Sequence, residues 1–176
     1  MEKLKKHPLY IIGFLVVLGT LCAVLLALIN MITAPRIKLN SLTELKMTLA
    51  ENDIELSKIV TNVQKVSGVD EIYEGEYLGN TKCYVFKIIQ QHQYLNNPFN
   101  VYVVLNAENG TIIDYFYLEA IASQSYNDQA SNHDFGVIGS NKDNFENNFI
   151  TIAGVSATAN AVKEAFILAF SQYELM

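Results

Sequence analysis

Near the end of the chain, the segment FITIAGVSATANAVKEAFILAF sets Gly154, Ser156 and Thr158 just ahead of a helical apolar pattern. Residues of these types at a helix mouth suit two kinds of chemistry. As punctuation, Gly154 turns the chain and Ser156, Thr158 or Asn160 caps the helix by accepting from its free N–H groups. As a site, the same N–H groups and the positive end of the helix dipole hold an anion such as a phosphate, and a neighbouring hydroxyl can be esterified by it. Spacing alone leaves both open. The other candidates are weaker. His92, within Gln-Gln-His-Gln, and His133, between Asn132 and Asp134, have no second His or Cys at ligand spacing and read as solvated loop histidines. Beyond residue 36 the one cysteine is Cys83, which excludes a disulfide framework and a cysteine metal cluster. No Gly-x-Gly-x-x-Gly follows a strand, and the cysteine set of an iron–sulfur protein is missing.

These residues need elements to hold them. Val162, Ala165, Phe166, Ala169, Phe170 and Tyr173 form one helical face, with Lys163, Glu164 and Gln172 off it, so the closing segment reads as a helix packed on a sheet. The polar interval from Ser123 to Asn148 reads as a long loop. Ahead of it, Glu71 to Leu78, Lys82 to Ile89 and Phe99 to Leu105 are rich in Tyr, Val, Ile and Phe and are parted by turn residues, which is strand chemistry. In VYVVLNAENGTIIDYFYL, Asn109-Gly110 signals a hairpin, because both residues tolerate positive φ. Earlier still, Ser41-Leu-Thr-Glu44 has the form of a capping box. Leu45, Leu49, Ile54, Leu56, Ile59, Val60 and Val63 then recur at mostly helical spacing until Ser67-Gly68, predicting two short helices or one kinked one.

The N-terminal third is of another kind. No Asp, Glu, Lys or Arg occurs from His7 through Pro35, and a bilayer core needs only about 20 apolar residues as a helix. A cleaved signal has an apolar region of about 7–15 residues ending in small residues. This run is longer and ends Asn30-Met31-Ile32-Thr33, so a retained anchor is expected. Cys22 follows the bulky Leu21 and reads as an inert membrane cysteine, not a lipidation site. Lys3, Lys5 and Lys6 precede the span, and Arg36 and Lys38 follow it, a cation bias that favours a cytoplasmic N-terminus. From Lys38 onward there are seventeen acids against eight bases, which argues against nucleic acid or an anionic membrane face as a partner. The expected organisation is a cytoplasmic segment 1–7, a transmembrane anchor 8–33, a membrane-proximal helical segment 34–67 and an α+β domain 68–176. The fold class is thus a single transmembrane helix followed by an antiparallel sheet flanked by helices.

The helix mouth resembles the flavin-attachment motif Ser-Gly-Ala-Thr-x-Thr-Ser-x-Ala-Val of the FMN-binding domain family. That family includes the G subunit of the Rnf complex and the C subunit of the sodium-translocating NADH:quinone reductase. Gly154 falls on the motif glycine, Val155 on its alanine, Ser156 and Thr158 on its two threonines, and Ala161-Val162 on its closing pair. LLALINMITAPRI is similar to the way those anchors run into Asn-x-x-Thr-Ala-Pro-x-Ile, here Asn30, Thr33, Ala34, Pro35 and Ile37. The Asn109-Gly110 hairpin resembles the family's Asp-Gly turn. The resemblance implies an FMN-binding fold and FMN joined by its phosphate to Thr158 through a flavin transferase, with Gly154, Ser156 and Ala157 beside it.

Several positions depart from the pattern. Ala153 replaces the leading Ser or Thr, Val155 the alanine and Ala159 the trailing serine, while Ile150 stands where an aspartate belongs to the signature that the transferase reads. The family's Glu-Thr-Pro-Gly-Leu-Gly, which contributes to the flavin site, is matched by Ala122 to Asn127, where Ser123, Ser125 and Tyr126 can hydrogen-bond or stack on an isoalloxazine ring. The implied function is electron relay between integral membrane subunits of an Rnf- or NQR-like complex, which couples electron flow from ferredoxin or NADH to ion pumping. Such a chain is an electron carrier and not a complete enzyme. Two alternatives remain open: a flavin-less docking subunit of a membrane complex, and a stand-alone surface FMN protein for extracellular electron transfer.

Overall fold

The computed structural model describes residues 8–176. Lys3, Lys5 and Lys6, and with them the expected cytoplasmic segment 1–7, lie outside the described residues. Helix α1 runs Pro8–Glu51. Its stretch Ile11–Met31, 21 residues, is long and apolar enough to cross a membrane. The chain divides into two compact units, Met1–Leu45 and Lys46–Met176.

The membrane-proximal region departs from expectation. Ser41 lies inside α1 and starts no new helix. A capping box stabilises a helix start by only about 1 kcal/mol, and Leu45 and Leu49, one turn apart, are fully buried instead. The helix ends at Glu51, where Asn52 N donates to Leu49 O at 3.0 Å and Asp53 turns to a positive φ of 57°. Past that turn the chain is extended. Ile54–Ile59 is strand β1, so the helical segment expected over 34–67 ends early. Its pairing with the next strand slips between Leu56 and Lys58, at Ser57, whose hydroxyl donates to Glu74 O at 2.9 Å. That bulge inserts a residue into the period-2 pattern, which is why Ile54, Leu56 and Ile59 mimic helical spacing.

The second unit is α+β. Strands β2 (Val69–Tyr77), β3 (Thr81–Gln90), β4 (Phe99–Asn106) and β5 (Ile112–Phe116) join β1 in a five-stranded sheet of order β1-β2-β3-β4-β5. Every neighbouring pair is antiparallel. The β4–β5 turn uses positive φ at Gly110 alone; Asn109 instead accepts through Oδ1 from Thr111 N at 3.0 Å. One sheet face carries Ile72, Phe86, Ile88, Val101, Val103, Leu105 and Ile112. Val162, Ala165, Phe166, Ala169 and Phe170 of helix α4 (Ser156–Tyr173) join them in the core. Burying each large side chain contributes about 1.5–3 kcal/mol. Gln172, expected off the packed face, is fully buried. Its Oε1 accepts from Val66 N at 2.7 Å and its Nε2 donates to Gln64 O at 2.9 Å, which satisfies backbone groups of the irregular link between β1 and β2.

The polar interval is more ordered than its composition suggests. It contains two short helices, α2 (Asn127–Ser131) and α3 (Phe145–Asn148), and Phe135, Val137 and Phe145 anchor it in the core. The Phe145 ring meets Phe166 at 5.5 Å and Phe170 at 5.6 Å between centroids. His133, expected in solvent, is half-buried, edge-on to Phe135 at 4.8 Å.

Candidate functional site

The mouth of α4 opens onto a cavity of about 420 Å³, lined by the backbone and side chains of Gly154 to Thr158 and by His92, Tyr94, Ala122, Ser123 and Tyr126. That volume lies within the usual range of small-molecule sites. Three separate pieces of chain build it: the loop after β3, the turn after β5 and the start of α4.

The side-chain cap expected from Ser156, Thr158 or Asn160 is not formed at the start of α4. The N-cap residue is Val155, and no side chain caps the helix; Ser156, Thr158 and Asn160 lie within it. Among the described residues, the first N–H of α4 to find an acceptor is that of Ala159, on Val155 O at 3.1 Å. The N–H groups of Ser156, Ala157 and Thr158 are therefore free for a ligand. Gly154 has φ of 83°, while a Cβ there would meet nothing within 4 Å. The glycine thus serves the left-handed turn and not a close approach.

The opposite wall comes from the turn after β5. Tyr126 N donates to Ser123 O at 2.8 Å, and Asn127 Oδ1, at the start of α2, accepts from Ile121 N at 2.9 Å. This turn directs Ser123 and Tyr126 to the cavity and leaves Ser125 exposed and absent from the lining. Ile150 and Ala153 are exposed outside the lining, and Val155, though buried, is part of it.

His92, read from the sequence as a solvated loop histidine, is instead half-buried in the cavity wall. Its Nε2 lies 3.2 Å from Thr158 Oγ1 and 3.1 Å from Ile121 O, while its Nδ1 accepts from Tyr94 N at 3.3 Å. The ring packs edge-on against Phe99 at 5.8 Å. Tyr94, also in the lining, was missed by the sequence reading. A Gln-Gln-His-Gln-Tyr loop carries no spacing signal, because its partners stand about 30 and 66 residues away. Thr158 itself is 1% exposed, so its hydroxyl is held at the cavity wall and not offered to bulk solvent.

Chemically the cavity is neutral. Its lining has no Lys, Arg, Asp or Glu, so an anion would be met by the helix N–H groups, the dipole and the His92 ring. Tyr94 and Tyr126 are 68% and 49% exposed. Exposed aromatic rings at a cavity rim offer flat apolar faces to a planar ligand. Three free N–H groups, hydroxyls at Ser123, Ser156 and Thr158, and two tyrosine rings fit a phosphate joined to an aromatic ring system, which is the chemistry of FMN. No protein-family model and no curated protein matches the chain. The site geometry and the motif resemblance carry the functional reading.

Proposed function

We propose that this chain is a membrane-anchored, extracytoplasmic electron-transfer subunit of an Rnf-type ion-translocating oxidoreductase complex, relaying electrons through FMN joined by a phosphoester to Thr158. One observation carries the reading: the uncapped start of α4 meets Ser123 and Tyr126, from a turn some thirty residues earlier in the chain, across one cavity. The N–H groups of Ser156, Ala157 and Thr158 would hold the phosphate, and Gly154 makes the turn that leaves them open. Tyr126 and Tyr94 supply faces for the ring, and the Ser123 hydroxyl a polar contact; Ser125 stands outside the cavity lining. FMN, when bound, supplies the redox chemistry. This chain's residues fix its place and limit its solvent access. The FMN-binding fold, the anchoring of Ile11–Met31 in a membrane, the integral membrane partner subunits and maturation by a flavin transferase all belong to the same proposal.

The departures at Ile150, Ala153 and Val155 and the near-complete burial of Thr158 favour a second reading, a flavin-less docking subunit. Intact mass and in-gel fluorescence of the full chain, purified from its own host or co-expressed with a matching flavin transferase, separate the two. An added mass of one esterified FMN on the Thr158 peptide is expected. An unmodified mass under both conditions overturns covalent attachment and leaves the docking subunit.

A further inference from the structure

The geometry points to His92 as the positioning residue that prepares the Thr158 hydroxyl for modification, a role that rests on the flavin reading above. His92 lies just past the end of β3, and three contacts fix its ring. Tyr94 N donates to Nδ1 at 3.3 Å, Phe99 packs on the ring at 5.8 Å, and Ile121 O stands 3.1 Å from Nε2. A neutral imidazole that accepts at Nδ1 carries its proton on Nε2. Nε2–H is then shared between Ile121 O and Thr158 Oγ1, the latter at 3.2 Å.

The direction of that bond matters. His92 is a donor to Thr158 and not its base, so the hydroxyl proton has to leave toward a base that the flavin transferase brings. In the transfer, a bond forms between Thr158 Oγ1 and the FMN phosphorus. The anhydride P–O bond of an FAD donor breaks, AMP departs with that electron pair, and the hydroxyl proton passes to the transferase. Negative charge builds on Oγ1 as the proton leaves. A donor already aimed at that atom, together with the positive end of α4, stabilises it without reorganisation. Ser156, exposed at the first position of α4, has no such donor among the described residues. His92 thereby also selects Thr158 over Ser156.

The test uses the full chain in detergent with transferase and FAD, comparing wild type, His92→Phe and His92→Gln. Phenylalanine keeps the aromatic contact with Phe99 and removes the donor; the glutamine amide restores a donor near the Nε2 position. The expected result is attachment at least about tenfold slower in His92→Phe, with rescue to within about threefold of wild type in His92→Gln. Flavin mapped to Ser156 in His92→Phe also supports the role. ¹⁵N NMR of the unmodified chain should find His92 protonated at Nε2, with ring signals that shift in Thr158→Val. Equal rates in wild type and His92→Phe, or a proton on Nδ1, overturn the proposal. A wild-type chain that takes no flavin overturns the flavin reading itself, and the role with it, so the two failures are told apart in the wild-type lane.

Discussion

Asp114 lies on the edge strand β5, its Oδ1 accepting from Tyr115 N at 2.8 Å, and burial holds its carboxyl above the ordinary carboxylate range despite that bond. A folded-state pKa raised above the unfolded value means that the fold prefers the protonated acid. The contribution is fully present below the unfolded pKa, near 3.9, and is lost as pH rises through the folded one. At neutral pH the carboxylate is therefore a net cost. Asp114→Asn, which keeps the acceptor oxygen, should raise the melting temperature at pH 7 by on the order of 1–3 °C, with the gain shrinking toward pH 4; a gain independent of pH would refute the linkage. At the helix mouth the residue-scale prediction is sharper. Thr158→Ala should abolish covalent flavin in the intact mass and Ser156→Ala only weaken it; flavin retained in the first variant removes Thr158 as the acceptor. The candidate residues from Gly154 to Thr158 were legible because a helix start is a local event. His92 was not, since its meaning comes only from Thr158, 66 residues on.

Among the elements, β1 is the one that the pattern concealed. Its bulge at Ser57 breaks alternation, and a Ser/Glu cap motif upstream made the surrounding stretch look helical. Strands β2 to β4 were legible for the opposite reason, since continuous register from Glu71 to Tyr77 against β3, and along the whole β3–β4 pair, keeps β-branched and aromatic residues in phase. Gln172 was read as a surface residue because its type is usually exposed; burial became favourable only through bonds to Val66 and Gln64, far away in the chain. The placement of β1 has a direct test in Gly75 of β2. A Cβ at that position would stand 2.6 Å from the backbone oxygen of Glu55, across the strand pair. Backbone cannot yield as a side chain can. Gly75→Ala should cost about 1–3 kcal/mol in urea unfolding of the full chain, whereas a helical 54–63 would leave Gly75 on an open edge and the substitution near neutral.

On the scale of the whole molecule, the proposal that Ile11–Met31 anchors the chain with the unit Lys46–Met176 outside the cytoplasm has a direct test, which the two cysteines make accessible. Cys22 lies within the apolar stretch Ile11–Met31. Cys83 is fully buried, and burial pushes its thiol from 9.0 up to about 11, so it stays protonated and inert at neutral pH. With Cys22 in the bilayer, neither native cysteine should react with a membrane-impermeant maleimide on intact cells, which gives a silent background. Glu108, exposed in the β4–β5 turn, is a suitable place for a reporter. Glu108→Cys should label on intact cells if the unit lies outside the cytoplasm, and added protease should cut the chain after residue 36 in the same preparation. Labelling of Glu108→Cys only after permeabilisation would invert the topology. It would also set the cavity at α4 among cytoplasmic reductants and remove the extracytoplasmic relay from consideration, because the same residues would then face a different pool of electron donors.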